Sequence, residues 1–315
     1  MSSADRHSIA ERPDQPLPTQ HRCRTLGDMP EGDTLRLLAT RINDRLGGGM
    51  VERSVVRDPR LVGVDLAGTT LVDADAYGKH LFVRFDDGRS LHAHLLMTGG
   101  FAVGRASREI EWKRRIELWL DRGRLTGEKV PILGVIPTQE EHTITDRLGP
   151  DLCATDGPPD IGEVVERLRS DPDRPVVGAL LDQRNVAGFG NVYVNDVPFI
   201  TGVHPEQPVA TIDGLGDLVA IGTALIRVNA VRGYQNTTGK RLQTDARWVH
   251  GVGRRPCPVC GTRLDYRSER ESEWGRPITW CASCQPRASD GQVDLVRTRR
   301  LIGLHPAVKQ PIYPG

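Results

Sequence analysis

Apolar positions follow two different periods along the chain. In DTLRLLATRINDRLGGG, Leu35, Leu38, Ile42 and Leu46 recur three and four residues apart, which predicts a helix with one buried face. Asp33 stands where an N-cap is expected, and Gly47, Gly48 and Gly49 end the pattern. The chain then turns to short alternating or β-branched runs: VERSVV, TLVDADAYG, HLFVRF, SLHAHLLM, RRIELWL and VPILGVI, broken by Asp86-Asp87-Gly88 and Asp121-Arg122-Gly123. Short strands with Gly/Asp turns predict a β-sandwich or barrel. Beyond about residue 138 helical spacing returns in IGEVVERLRS, VVGALLDQRNVAGFGNVYVNDVPFITG and GLGDLVAIGTALIRVNAV. The two glycines of Val186-Ala187-Gly188-Phe189-Gly190-Asn191 interrupt the second of these. Either the amides there and Asn191 face an anion, or the segment is a tight interhelical turn with no ligand. Residues 286–315 show little periodicity and are expected to be a tail, and no internal repeat is visible.

The chain has 315 residues, enough for about two domains. No run approaches the roughly 18 apolar residues of a membrane span. The polar, Pro-rich first 28 residues lack a secretory apolar stretch, so the expected location is cytoplasmic, without a membrane partner. Net charge is +1, but residues 251–315 carry 11 basic and 6 acidic side chains against 31 and 35 in the first 250. The C-terminal fifth is therefore where a polyanion is expected to bind.

Of six cysteines, Cys257-Pro-Val-Cys260 and Cys281-Ala-Ser-Cys284 form two knuckles separated by 20 residues. In a reducing compartment that spacing points to a closed four-thiolate site for one structural Zn2+ rather than to disulfides. The intervening GTRLDYRSERESEWGRPITW, with Trp274 and Trp280 in strand-like flanks, predicts a β-hairpin finger. Arg276, beside Gly275 near its turn, is either a phosphate ligand or a solvated charge. Cys23 and Cys153 look isolated.

Six segments in order, MPEGDT, YGKHL, HLLMTG, RLGPDL, LLDQRNVAGFGNVYVND and GRPITWCASCQ, make residues 29–285 resemble the formamidopyrimidine-DNA glycosylase and endonuclease VIII family, nearer the endonuclease VIII branch. The resemblance implies an α+β fold: a leading helix and β-sandwich (29–137, catalytic), a helix-two-turn-helix bundle (138–248) and a zinc finger (249–286), flanked by the extension 1–28 and the tail 287–315. It implies a bifunctional DNA glycosylase and AP lyase acting on damaged DNA as a monomer without a small-molecule cofactor. Pro30 matches the nucleophile that forms a Schiff base with the sugar, leading to β,δ-elimination. Glu31 matches the acid/base carboxylate, and Lys79 matches the lysine that meets phosphate and assists base departure. His94, Asn191 and Arg276 match phosphate anchors, and Met97 matches the wedge that fills the gap left by a flipped nucleotide. By pattern alone, Glu31 would be a first-turn acid, Lys79 an exposed hairpin charge and Met97 a core residue.

Two departures qualify the resemblance. An internal proline nitrogen is a tertiary amide, so Pro30 is a nucleophile only once it is N-terminal; the expectation is a functional chain beginning at Met29. Thr34 stands where many family members carry Glu. A non-catalytic damage-binding protein on the same scaffold is the alternative reading. For the lesion, Val177 and RGYQNTTGKRLQ depart from the patterns that accompany 8-oxoguanine recognition, which favours oxidised pyrimidines; an 8-oxoguanine or formamidopyrimidine preference is the alternative.

Overall fold

The computed structural model describes residues 30–314, except 105, 106, 108, 289 and 290; the extension, Met29 and Cys23 lie outside the described residues. Helix α1 (Gly32–Leu46) presents Leu35, Leu38, Ala39, Ile42 and Leu46 to one core. Eight strands follow: β1 (Val51–Val56), β2 (Leu71–Tyr77), β3 (His80–Phe85), β4 (Arg89–His94), β5 (Gly100–Val103), β6 (Arg114–Leu120), β7 (Gly123–Glu128) and β8 (Ile132–Pro137). They form two four-stranded antiparallel sheets, β1-β6-β7-β5 and β2-β3-β4-β8, around the core that α1 enters. Alternation is clear in the second half of β2, where Ala74 and Ala76 are buried and Asp75 and Tyr77 only partly so, whereas β3, β4, β6 and β7 each bury three or more consecutive residues. β5 is only four residues long and β7 has a single large apolar residue, Leu125, so neither is distinct in the sequence.

The helices follow in chain order: the short α2 (His142–Thr145), α3 (Ile161–Arg169), α4 (Val176–Leu181), α5 (Asn191–Thr201) and, after strand β9 (Ile212–Asp213), α6 (Leu215–Arg232). They build a second core around Phe189, Tyr193, Phe199 and Leu225. The hairpin of β10 (Asp265–Arg267) and β11 (Ile278–Trp280) pairs Asp265 with Trp280 and Arg267 with Ile278. Trp280 lies in its strand, but Trp274 does not: its indole lies in the connection against Gly178, where a Cβ would stand 2.3 Å from Nε1.

The expected tail is folded. Strand β12 (Gly291–Gln292) pairs in parallel with β9, helix α7 (Leu295–Ile302) follows, and Val293, Ile302 and Ala307 enter the helical core. Eight residues are too few to display a helical period, and the buried face of α7 includes Arg297 and Thr298, which hydropathy cannot flag.

Candidate active site and nucleic-acid interface

Three backbones converge at the start of α1. The Gly32 amide donates to the Gly188 carbonyl (2.9 Å), and a Cβ on Gly32 would lie 2.8 Å from Gly188 Cα. The two-residue β2–β3 turn, Gly78-Lys79, places Gly78 (φ +54°) against Ala187. The two glycines of the α4–α5 turn therefore serve close approach. The Gln183 side chain ties that turn together, donating to the Leu181 and Phe189 carbonyls and accepting from the Gly188 amide.

Glu31 is fully buried. Its carboxylate accepts the amides of Gly190 (2.9 Å) and Val192 (2.8 Å), so it caps α5 rather than stabilising its own helix. Gly190 makes this possible, since a Cβ there would stand 2.6 Å from Glu31 Cδ. Burial raises Glu31 to about 7, opposed by the Lys79 charge and assisted by Asp33. Lys79 is buried, not an exposed hairpin charge, and burial lowers it to about 8 against the pull of Glu31. An acid and an amine shifted toward each other near neutrality are suited to exchange protons. Pro30, half-buried, immediately precedes Glu31.

Asp33 is not the N-cap of α1. It lies buried inside the first turn, accepting from Tyr193 Oη (2.7 Å), Gln235 Nε2 (3.2 Å) and the Thr34 amide (2.7 Å). Burial raises its pKa, and the bonds from Tyr193 and Gln235 oppose the rise. Asn229 Nδ2 completes the network by donating to Tyr193 Oη (2.8 Å). Sequence reasoning missed this polar group because its members lie far apart in the chain and three of the four sit within helical runs.

His94 ends β4, opposite His80, with the two rings edge-to-face at 4.9 Å. Its Nδ1 accepts the Leu96 amide (3.1 Å), which leaves the ring proton on Nε2. Burial keeps His94 neutral, at about 4. The turn that follows holds Leu96 at φ +45° and leaves Met97 55% exposed, so Met97 is not a core residue. Asn191 opens α5 but is buried, donating to the Pro277 carbonyl (3.1 Å), and thus ties α5 to the hairpin. Arg276, 32% exposed, donates to its neighbour Gly275 (2.8 Å), and its charge is felt at Lys79. Lys79, His94 and Arg276 thus share one neighbourhood, and Met97 lies three residues beyond His94.

The four knuckle sulfurs all lie within 4.8 Å of one another, with Cys257 to Cys284 at 3.9 Å and Cys260 to Cys281 at 3.5 Å. A tetrahedral zinc with Zn–S near 2.3 Å requires sulfurs about 3.8 Å apart, so the set fits the ion; disulfides would need about 2.0 Å. Cys153 is buried in the helical core.

Comparison with known proteins agrees with this geometry. Residues 29–129 match the formamidopyrimidine-DNA glycosylase N-terminal domain and residues 148–231 its H2TH domain. A probable endonuclease 8 2 of Streptomyces coelicolor is 38% identical over 280 residues, covering 86% of this chain and all of its own length. The chain belongs to the formamidopyrimidine-DNA glycosylase and endonuclease VIII family. Within the family it sides with the endonuclease VIII branch: the DNA-(apurinic or apyrimidinic site) lyase Nei2 of Mycolicibacterium smegmatis is 36% identical over 257 residues, covering 82% of this chain and 99% of that protein. Among solved structures, the Lactococcus lactis Fpg complex with abasic-site DNA superposes with a TM-score of 0.68 at 21% identity, covering 82% of this chain and all of that one. That likeness establishes the α+β fold expected from the sequence. No helix among the described residues is long and apolar enough to cross a membrane.

Proposed function

We propose that the protein is a bifunctional DNA glycosylase and AP lyase of base-excision repair, working as a monomer on DNA with oxidised pyrimidines. The observation that carries this reading is the buried Glu31 carboxylate, clamped on the N-terminal amides of α5, next to Pro30 and the buried Lys79. Pro30, once freed as a secondary amine, attacks the anomeric carbon. The C–N bond to the base breaks and the base leaves with the glycosidic electron pair, taking up a proton; the Pro30 nitrogen gives up its N–H proton, and its lone pair then breaks the bond from the anomeric carbon to the ring oxygen, giving an iminium that makes the adjacent sugar carbon acidic. Glu31 protonates the sugar ring oxygen as the ring opens. Lys79, charged below about 8, meets the phosphate and assists base departure. His94 offers Nε2–H to a phosphate oxygen, Arg276 adds a charged fork and Asn191 an amide donor, while Met97 occupies the place of the extruded nucleotide. The four cysteines hold a Zn2+ that closes the hairpin and leaves no open position for chemistry. Such a protein works in the cytoplasm, on the nucleoid.

The lesion class is tested by single-turnover excision from duplexes carrying 5-hydroxyuracil or 8-oxoguanine. Faster release of 5-hydroxyuracil is expected. Preferential release of 8-oxoguanine contradicts the lesion class, and release of neither base contradicts the catalytic reading.

A further inference from the structure

The segment after the hairpin is anchored at both ends, and its far end reaches the loop behind the active site. At the near end, the Asp294 amide donates to the Thr201 carbonyl (2.9 Å) and the Asp294 side chain caps α7. Arg297 is buried, with Nε and Nη2 both on the Phe199 carbonyl (3.2 and 3.1 Å) and its guanidinium 4.9 Å from the Phe199 ring centroid. It thereby adds a charged donor to a carbonyl in the last turn of α5 that otherwise accepts only the long Gly202 amide bond (3.4 Å) among the described residues.

At the far end, His305 is 2% exposed. Its Nδ1 accepts the Ala307 amide (3.0 Å), so the ring proton resides on Nε2, which donates to the Asn236 carbonyl (3.1 Å). The ring also packs on Gly239 (φ +77°), where a Cβ would lie 3.1 Å from His305 Cδ2. Asn236 folds the loop it belongs to: Oδ1 accepts the amides of Thr238 and Gly239, and Nδ2 donates to the Lys240 carbonyl. Its neighbour Gln235 donates to Asp33, two residues from Glu31. The contacts thus run from His305 through Asn236 and Gln235 to the first turn of α1.

We propose that residues 291–314 brace the catalytic centre, with His305 as the positioning residue that fixes the 235–240 loop and, through Gln235, the Asp33 carboxylate behind Glu31. This rests on the role assigned to Glu31 above. Gln235 supplies one of the few bonds that hold Asp33 in place, and Asp33 shares a helical turn with the group that moves the proton. Displacement of such a group by an ångström costs a reaction about a hundredfold; loss of one remote hydrogen bond displaces it less. A segment that only adds stability would lower the melting temperature and leave the rate on saturating DNA untouched.

The test compares His305→Ala, His305→Gln and Gln235→Met in the full chain. It reads single-turnover excision at saturating DNA, DNA affinity, and amide exchange at residues 31–35 and 235–240. His305→Ala is expected to excise about tenfold more slowly with affinity within about twofold, and to exchange faster in both segments. His305→Gln, which keeps an N–H donor, restores at least half the rate. Gln235→Met, which cuts the same path without touching the brace, reproduces the loss and serves as the deciding variant if His305→Ala does not fold. Wild-type rates in folded His305→Ala or in Gln235→Met, no rescue by Gln, or faster exchange confined to the loop would overturn the proposal. If the wild-type protein excises nothing, the catalytic reading fails by itself, and the exchange data still decide whether His305 orders the start of α1.

Discussion

At the start of α1, Glu31 and Asp33 are buried among hydrogen-bond donors, whereas in the turn after β4, Leu96 and Met97 stand 39% and 55% exposed. The first region is packed so tightly that glycine is required at positions 32 and 190. The second holds a non-glycine residue at positive φ and keeps an apolar side chain in solvent. Proton transfer needs fixed, desolvated groups with shifted pKa values, and filling a gap in a base stack needs an apolar group that is free until DNA arrives. Under the proposed function the two regions would divide these tasks between them, and a substitution in one should leave the other's property intact.

The sharpest test of that division is Glu31→Gln. Gln can accept one of the two α5 amides but cannot deliver the proton, so excision should fall by about a thousandfold while DNA affinity changes little. Equal losses of rate and affinity would merge the two regions into one. Cys257→Ser should release zinc, unfold the hairpin that carries Arg276 and weaken DNA binding at least about tenfold; unchanged metal content and affinity would refute the four-cysteine assignment. Met97→Ala should slow excision about tenfold on duplex DNA but leave melting unchanged, since an exposed side chain contributes within about 0.5 kcal/mol. A large loss of stability there would return Met97 to the core.

The smallest effect concerns pH and stability. Because Glu31 titrates near 7 in the fold and near 4.5 when unfolded, the folded state holds the extra proton between those values, and this group's contribution to stability falls as pH rises through that window. The difference between wild type and Glu31→Gln should slope downward from about pH 4.5 to 7, by up to about 3 kcal/mol. The histidines act oppositely: burial lowers His80 to about 3 and His92 to about 4, so the unfolded chain takes up their protons first and stability falls as pH drops below about 6.5. A flat difference curve would place Glu31 in an ordinary solvated environment.

Six strands were legible as short apolar or β-branched runs between Gly/Asp turns, the helices by apolar residues three and four apart, and the hairpin and its four cysteines because a tetrahedral ion constrains spacing. Pro30, Glu31, Lys79, His94 and Met97 were named from motif order alone, since periodicity says nothing about which polar side chain is buried; Asn191 and Arg276 were already candidates from their places beside glycines in turns. Asp33 shows the limit: read locally it is a cap, and only the folded chain brings Tyr193 and Gln235 to it. Residues 291–314 show another, because Arg297 and His305 are polar side chains buried by hydrogen bonds to backbone carbonyls.

Borohydride trapping tests the central claim most directly. The protein, expressed from its full reading frame, is incubated with an oligonucleotide containing an abasic site or 5-hydroxyuracil, reduced, and any crosslink is weighed and sequenced from its protein end. The account predicts a covalent adduct whose protein part begins at Pro30. Bound DNA without an adduct, in a protein that retains residues 1–28, would contradict it and leave a DNA-binding protein on a glycosylase scaffold.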